Sequence, residues 1–258
     1  MKNIKTKLIT FSASAALLAM SLPAQAAFSW TFDSSPTNTG TPSGTAITAT
    51  ASAWTTATTS TNSRLQSAQL RQYSGLGVQS QSNDSGSPQH AIDANGQKES
   101  VLFSFTQSIA LTKISMSWLS GDADFSLLRY VGGSAPILGS QSYAGLLTNG
   151  WELVSRANYS GGYNTGGYSL NSNGSGSTAN VNLNELSSSH WLVAAANTAH
   201  GWASGYTEND YFKLNKLYGK AGTPPPPPPT GVPSPSTLPL LAISLLGLGF
   251  ASRRRKQA

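Results

Sequence analysis

Leu111-Thr112-Lys113-Ile114-Ser115-Met116-Ser117-Trp118-Leu119 decides the fold class of this chain. Ile114, Met116 and Trp118 recur at every second residue with Lys113, Ser115 and Ser117 between them, the period of a strand with one apolar and one polar face. A helix would need its apolar residues three and four apart. Working outward, comparable short runs occur at Ile47 to Trp54, Val101 to Phe105, Phe125 to Tyr130, Trp151 to Asn158, Val181 to Leu186, Trp191 to Ala195 and Tyr211 to Tyr218, divided by Gly, Ser and Asn. In one of them Val181 and Leu183 oppose Asn182 and Asn184. No stretch between Ala27 and Gly219 keeps a helical period over ten residues. The pattern predicts one all-β domain over 27–219 whose sheets are wetted on one face: an antiparallel β-sandwich of jelly-roll type, with a barrel as the second possibility. Asn158 to Asn180, rich in glycine and studded with Tyr159, Tyr163 and Tyr168, reads as a long loop, either an ordinary insertion or a set of rings for stacking on sugars.

The formal net charge of +6 does not belong to this domain. Lys2, Lys5, Lys7, Arg253, Arg254, Arg255 and Lys256 stand at the two ends, leaving nine basic residues in the body against ten acidic ones. Nucleic acid is therefore not an expected partner, since a phosphate backbone demands clustered positive charge. Charged residues are only 10% of the chain, and Ser, Thr, Asn, Gly and Gln fill most polar positions, which suits an extracellular surface. The absence of cysteine excludes disulfides, thiolate metal sites and cysteine nucleophiles, so stability must come from the core.

Both ends read as targeting segments. Lys2, Lys5 and Lys7 precede an apolar run from Leu8 to Met20, and Ala24-Gln25-Ala26 places small residues three and one positions before a cut, so 1–26 is expected to be a signal helix cleaved by signal peptidase after Ala26. At the other end, 220–232 is a Pro-rich linker. Pro224 to Pro229 hold polyproline II over roughly 19 Å at about 3.1 Å per residue. Pro233-Ser234-Pro235 follows, then an apolar segment 238–251, a short hydrophobic helix of about 21 Å against a hydrocarbon core of roughly 30 Å. Arg253, Arg254 and Arg255 would stay cytoplasmic.

Val232-Pro233-Ser234-Pro235, the short Leu/Gly-rich span and the terminal arginines resemble the PEP-CTERM sorting signal of Gram-negative bacteria, with Ser234 where the family motif has Glu. The resemblance implies that an exosortase, an integral-membrane transpeptidase, recognises Pro233, Ser234 and Pro235 within 233–258, removes the anchor and passes the protein to the surface. A precursor held transiently in the inner membrane follows from it. Strings along the body also resemble exosortase-dependent surface proteins that carry a single β domain before such a tail: Tyr73-Ser74-Gly75-Leu76-Gly77-Val78, His90-Ala91-Ile92-Asp93-Ala94-Asn95-Gly96, Gly121-Asp122-Ala123-Asp124, His190-Trp191-Leu192-Val193 and Asp210-Tyr211-Phe212-Lys213-Leu214 among them.

Catalytic sets are sparse. No G-x-S-x-G occurs, so a nucleophile elbow is missing, and His90, His190 and His200 are the only histidines. Asp93-Ala94-Asn95-Gly96 opens like an EF-hand loop, but Gln97 and Ser104 fall at later ligand positions. Asp122 and Asp124, beside Gly121, are weak calcium candidates, with a solvated turn as the plainer reading. Arg129 with Tyr130 is the one body pairing that hints at a polysaccharide lyase. No enzyme activity and no cofactor are expected. The expectation is a secreted surface or matrix protein associated with extracellular polysaccharide and biofilm. The alternative is a glycan-binding module using Trp54, Trp118, Trp151, Trp191 or Trp202, and the exposure of those rings separates the two.

Overall fold

The computed structural model describes residues 27–32, 37–40, 46–80, 90–121, 123–157, 168–170, 177–203 and 210–222. The expected signal helix 1–26 with Ala24 and Ala26, most of the linker, the sorting segment 233–258 with its helix 238–251, and Asp122 lie outside the described residues. Among those described, no helix is long and apolar enough to cross a membrane.

The chain is all-β. Its strands are β1 (Ala27–Thr31), β2 (Thr37–Gly40), β3 (Ile47–Thr56), β4 (Leu65–Ser67), β5 (Gln69–Gln72), β6 (Leu76–Gln79), β7 (Ile92–Asp93), β8 (Glu99–Gly121), β9 (Phe125–Tyr130), β10 (Trp151–Ala157), β11 (Tyr168–Leu170), β12 (Ser177–Asn180), β13 (Ser188–Ala195) and β14 (Asp210–Ala221). One helical turn, α1 (Tyr143–Leu146), and a 3-10 turn at Thr198–His200 interrupt them. Every strand pair is antiparallel, and hydrogen bonds join all fourteen into one sheet. β14 ends at Ala221, two residues into the segment read as linker.

The two runs expected at Val101 to Phe105 and Leu111 to Leu119 are one strand, β8, of 23 residues. No Gly or Pro lies between them, so nothing breaks the extended backbone; the exposed Thr106-Gln107-Ser108 instead mark where partners change. Before that point β8 runs between β3 and β13; after it, between β14 and β12. One large core draws on both stretches, with Val101, Phe103 and Phe105 from the first and Ile109, Leu111, Ile114 and Met116 from the second. Alanines at 49, 51 and 53 along β3 leave room for aromatic rings. Trp30 meets Phe105 edge-on at 4.8 Å, Phe32 tilts on Phe103 at 5.3 Å, and Trp30 Nε1 donates to Ile47 O over 2.7 Å.

The expectation of sheets wetted on one face holds for β3 but fails for β9, β13 and the first stretch of β8. Leu102, Leu128, Leu192 and Ala194 point away from the large core into a second cluster, covered by Leu138, Tyr143, Leu146 and Trp151. The lid is the β9–β10 connection carrying α1, whose start is capped where Gly145 N donates to Ser142 Oγ over 3.1 Å. Each fully buried leucine there contributes about 1.5–3 kcal/mol, which is why Phe125-Ser126-Leu127-Leu128 does not alternate in polarity.

Val181 to Leu186 is not a strand. The strand is β12, just before it, so part of the expected long loop pairs with β8 and with β11. The alternation also fails there: Val181 and Asn182 are both 2% exposed and Leu183 71%. Asn182 adopts φ 51°, a left-handed conformation asparagine tolerates. Its Nδ2 donates to Leu111 O (3.0 Å) and Leu186 O (2.7 Å), its Oδ1 accepts from Leu186 N (2.9 Å), and its own N–H donates to Ser155 Oγ (2.9 Å). Asn182→Ala strands buried groups and is expected to cost about 3 kcal/mol in urea unfolding; a loss under about 1 kcal/mol would mean that water replaces the amide.

Candidate functional site

The strand that decided the fold also builds the most distinctive surface. Between Met116 and Trp118, β8 carries one residue too many for its partner: Leu214 pairs with Met116 and Lys213 with Trp118, leaving Ser117 as a bulge. A second bulge, Asn215 on β14, lies between the Leu214–Met116 and Lys216–Ser115 pairs. Each extra residue reverses the inside–outside parity. Trp118, expected on the face of Ile114 and Met116, therefore lies on the opposite, outer face, half-buried, beside Lys213. The bulge on β14 brings Lys216 and Tyr218 out to join Lys213, because Leu214 and Leu217 both belong to the core.

The register continues this face across four strands, β12, β8, β14 and β1. One row reads Asn180, Lys113, Tyr218, Ser29; the next reads Thr178, Ser115, Lys216, Thr31. All eight are exposed or half-buried, and none is acidic. The Lys216 ammonium lies 5.6 Å from the Tyr218 ring centroid, a cation–π distance. The acid at the margin, Glu185, is taken by Lys220. Among the described residues no carboxylate is paired with Lys113 or Lys216.

The far end of the face is closed by the turn between β5 and β6. Tyr73 N donates to Gly75 O over 3.1 Å, with Ser74 at φ 56° and Gly75 at φ 118°. Ser117 Oγ donates to Ser74 O, docking the turn on the bulge. Gly75 is required there twice over: by its φ, and because a Cβ would stand 2.9 Å from Leu214 O. The turn lays Tyr73, 71% exposed, over Lys213, whose ammonium sits 5.2 Å from the Tyr73 ring centroid and 5.5 Å from that of Trp118, and donates to Tyr73 O over 3.1 Å. Burial lowers the pKa of Lys213, itself 5% exposed.

The other candidates are placed as follows. Trp151, Trp191 and Trp202 are buried, and Trp54 is half-buried, packed on the second cluster. Asp124 is 0% exposed, which rules out a solvated turn at that residue, and the described residues hold no group of three or more His, Cys, Asp or Glu that could bind a metal. Arg129 is committed to structure: Nε and Nη2 clasp Glu152 at 2.9 and 2.6 Å, and Nη1 donates to Ser187 O. Tyr130 packs on Trp151 and His190. His200 is buried edge-on to Tyr143 at 5.2 Å, and its Nδ1 accepts from Asn197 Nδ2 at 3.2 Å. Desolvation lowers its pKa to about 3, so it is a neutral packing group. Asp93-Ala94-Asn95 forms an Asx turn, with Asn95 N donating to Asp93 Oδ1 over 2.9 Å. Lys113, Lys216 and Tyr218 were missed as a group by sequence reasoning, since Lys113 lies on β8 and the other two on β14, far apart in the chain, and nothing local shows the register that brings them together.

Compared with protein families, with curated proteins and with solved structures, the chain finds no match in any of the three.

Proposed function

We propose that this chain is a secreted, non-enzymatic bacterial surface or extracellular-matrix protein, exported with a signal peptide and released from a transient inner-membrane anchor by an exosortase-like transpeptidase. The order of the tail carries this reading: a stiff proline spacer, Pro233-Ser234-Pro235, a short apolar run and Arg253 to Arg255. The folded boundaries support it. β1, Ala27–Thr31, lies wholly after the expected cut, and β14 ends at Ala221, just short of the proline run. Processing at either end would therefore leave every ladder of the described residues intact. The mature protein from the native host is expected to begin at Ala27 and to lack Leu238 to Ala258 by intact-mass measurement. A shed species still ending at Ala258 would overturn the processing step. Pro233→Ala with Pro235→Ala should trap uncut precursor in the inner membrane.

The domain itself we read as a jelly-roll-like β-sandwich. β8 supports this by serving in two strand neighbourhoods that share one core, as a strand passing between layers does. Glycan binding is the second reading, and one observation favours it: Tyr73, Trp118 and Tyr218 lie on an outer sheet face among short hydroxyl and amide side chains.

A further inference from the structure

We propose that the outer face of β12, β8, β14 and β1 binds a carboxylate-bearing, uronate-type polysaccharide, with Lys113 and Lys216 holding the acid groups and Tyr218 and Trp118 the sugar rings. This rests on the reading of the domain as a glycan binder and names the class of glycan. The charge of the face points to an anion. Lys113 and Lys216 are diagonal neighbours on adjacent strands, about 7–8 Å apart at the backbone, a spacing at which like charges repel. Elsewhere in this domain Arg129 and Lys220 each have a glutamate; these two lysines have none among the described residues. The repulsion is relieved by a ligand carrying negative charge.

The rest of the face narrows the ligand's class. Ser115 and Asn180 sit beside the lysines, and hydroxyl and amide groups of this length hydrogen-bond to sugar hydroxyls. Tyr218, with Lys216 already over its ring, offers an apolar plane next to a cation, the pairing that an acidic sugar presents in reverse. A nucleic acid is a poorer match. Two lysines neutralise about two phosphates, far fewer than the roughly six to ten contacts of a salt-sensitive DNA binder, and the body has more acids than bases. The bulges at Ser117 and Asn215 bring these groups to one side; without them Lys216, Tyr218 and Trp118 would not share a face with Lys213.

The test uses the full-length chain purified in mild detergent and affinity electrophoresis through gels containing alginate, polygalacturonate or hyaluronan, with dextran and mannan as neutral controls and double-stranded DNA as a polyanion without the sugar acid. Retardation is expected in at least one polyuronate, with apparent affinity falling as salt rises with a log–log slope near two. Lys113→Gln with Lys216→Gln, both at solvent-accessible positions, should weaken retention tenfold or more and flatten the salt dependence, while Lys113→Arg with Lys216→Arg keeps both. Tyr218→Ala should weaken retention without changing the salt slope. An unchanged unfolding midpoint establishes that each variant is folded, and where Tyr218→Ala shifts it, Tyr218→Phe, which keeps the ring, must retain binding. If the Gln pair binds like wild type, the site is wrong. Equal retention by dextran or mannan overturns the acidic class and leaves glycan binding standing, whereas DNA held as tightly as polyuronate reduces the face to an anion exchanger and overturns the sugar-specific site. No retention by any polysaccharide defeats both this inference and the glycan reading.

Discussion

Trp191→Ala is expected to remove about 3–5 kcal/mol of stability, the range for deleting a buried aromatic. Trp191 is 0% exposed in β13, between β8 and β9, and its Nε1 donates to Ser188 O over 3.0 Å. The substitution therefore leaves a cavity at the centre of the large core and an unpaired carbonyl beside it. A domain with the usual 5–15 kcal/mol in total would lose about a fifth of its stability or more. Urea unfolding followed by far-ultraviolet circular dichroism measures the loss. Trp54→Ala, at a half-buried position, provides the contrast and should cost less than half as much. Equal losses at the two positions would contradict the burial described for them.

Acid should weaken the domain through His200. An imidazole ordinarily takes its proton near pH 6.5, but burial holds that of His200 to about 3. Between those values the unfolded chain binds a proton that the folded chain refuses, so stability is full above pH 6.5 and falls as the pH drops towards 3. At about 1.4 kcal/mol per pH unit, the loss from this residue at pH 5 is about 2 kcal/mol. Burial shifts half-buried His190 in the same direction, adding to the trend. His200→Phe removes the titration. The difference in unfolding free energy between pH 7 and pH 5 should shrink by about 2 kcal/mol in that variant, while any contribution from carboxylates cancels in the comparison. An unaltered difference would mean that His200 is hydrated or already charged in the folded protein.

The sequence was most legible in the positions of its strands, and less so in which side chains follow a period of two. Phe125 to Tyr130 was bounded as observed, and Ile47 to Trp54, Trp151 to Asn158 and Trp191 to Ala195 lie within a few residues of β3, β10 and β13. It misled where a local event overrides the period. A side chain's face is known only relative to the last bulge, so Trp118 could not be assigned outward without the register that isolates Ser117. Asn182 looked like the polar side of a strand because nothing local reveals that its amide satisfies the carbonyl of Leu111, 71 residues away. The second apolar cluster was hidden for a related reason: Ile137 to Asn149 keeps neither a strand period nor a helix period long enough to read as an element, yet its Leu138, Tyr143 and Leu146 pack on Leu128 of β9 and Leu192 of β13. The lysine face follows from the same bulges.

The first strand and the last are neighbours: Ala27 pairs with Lys220 and Thr31 with Lys216. A ribosome makes β1 and β8 long before β14, and β14 is the partner of both. About a hundred residues separate Gly121 from Ala221, so at roughly 5–20 residues per second the later stretch of β8 waits some 5–20 s for its main ladder. Closure of the β1–β14 and β14–β8 ladders therefore waits for the final strand. Contacts so distant along the chain also close slowly once that strand is present. The topology thus acts as a clock, leaving these two ladders open until β14 is made.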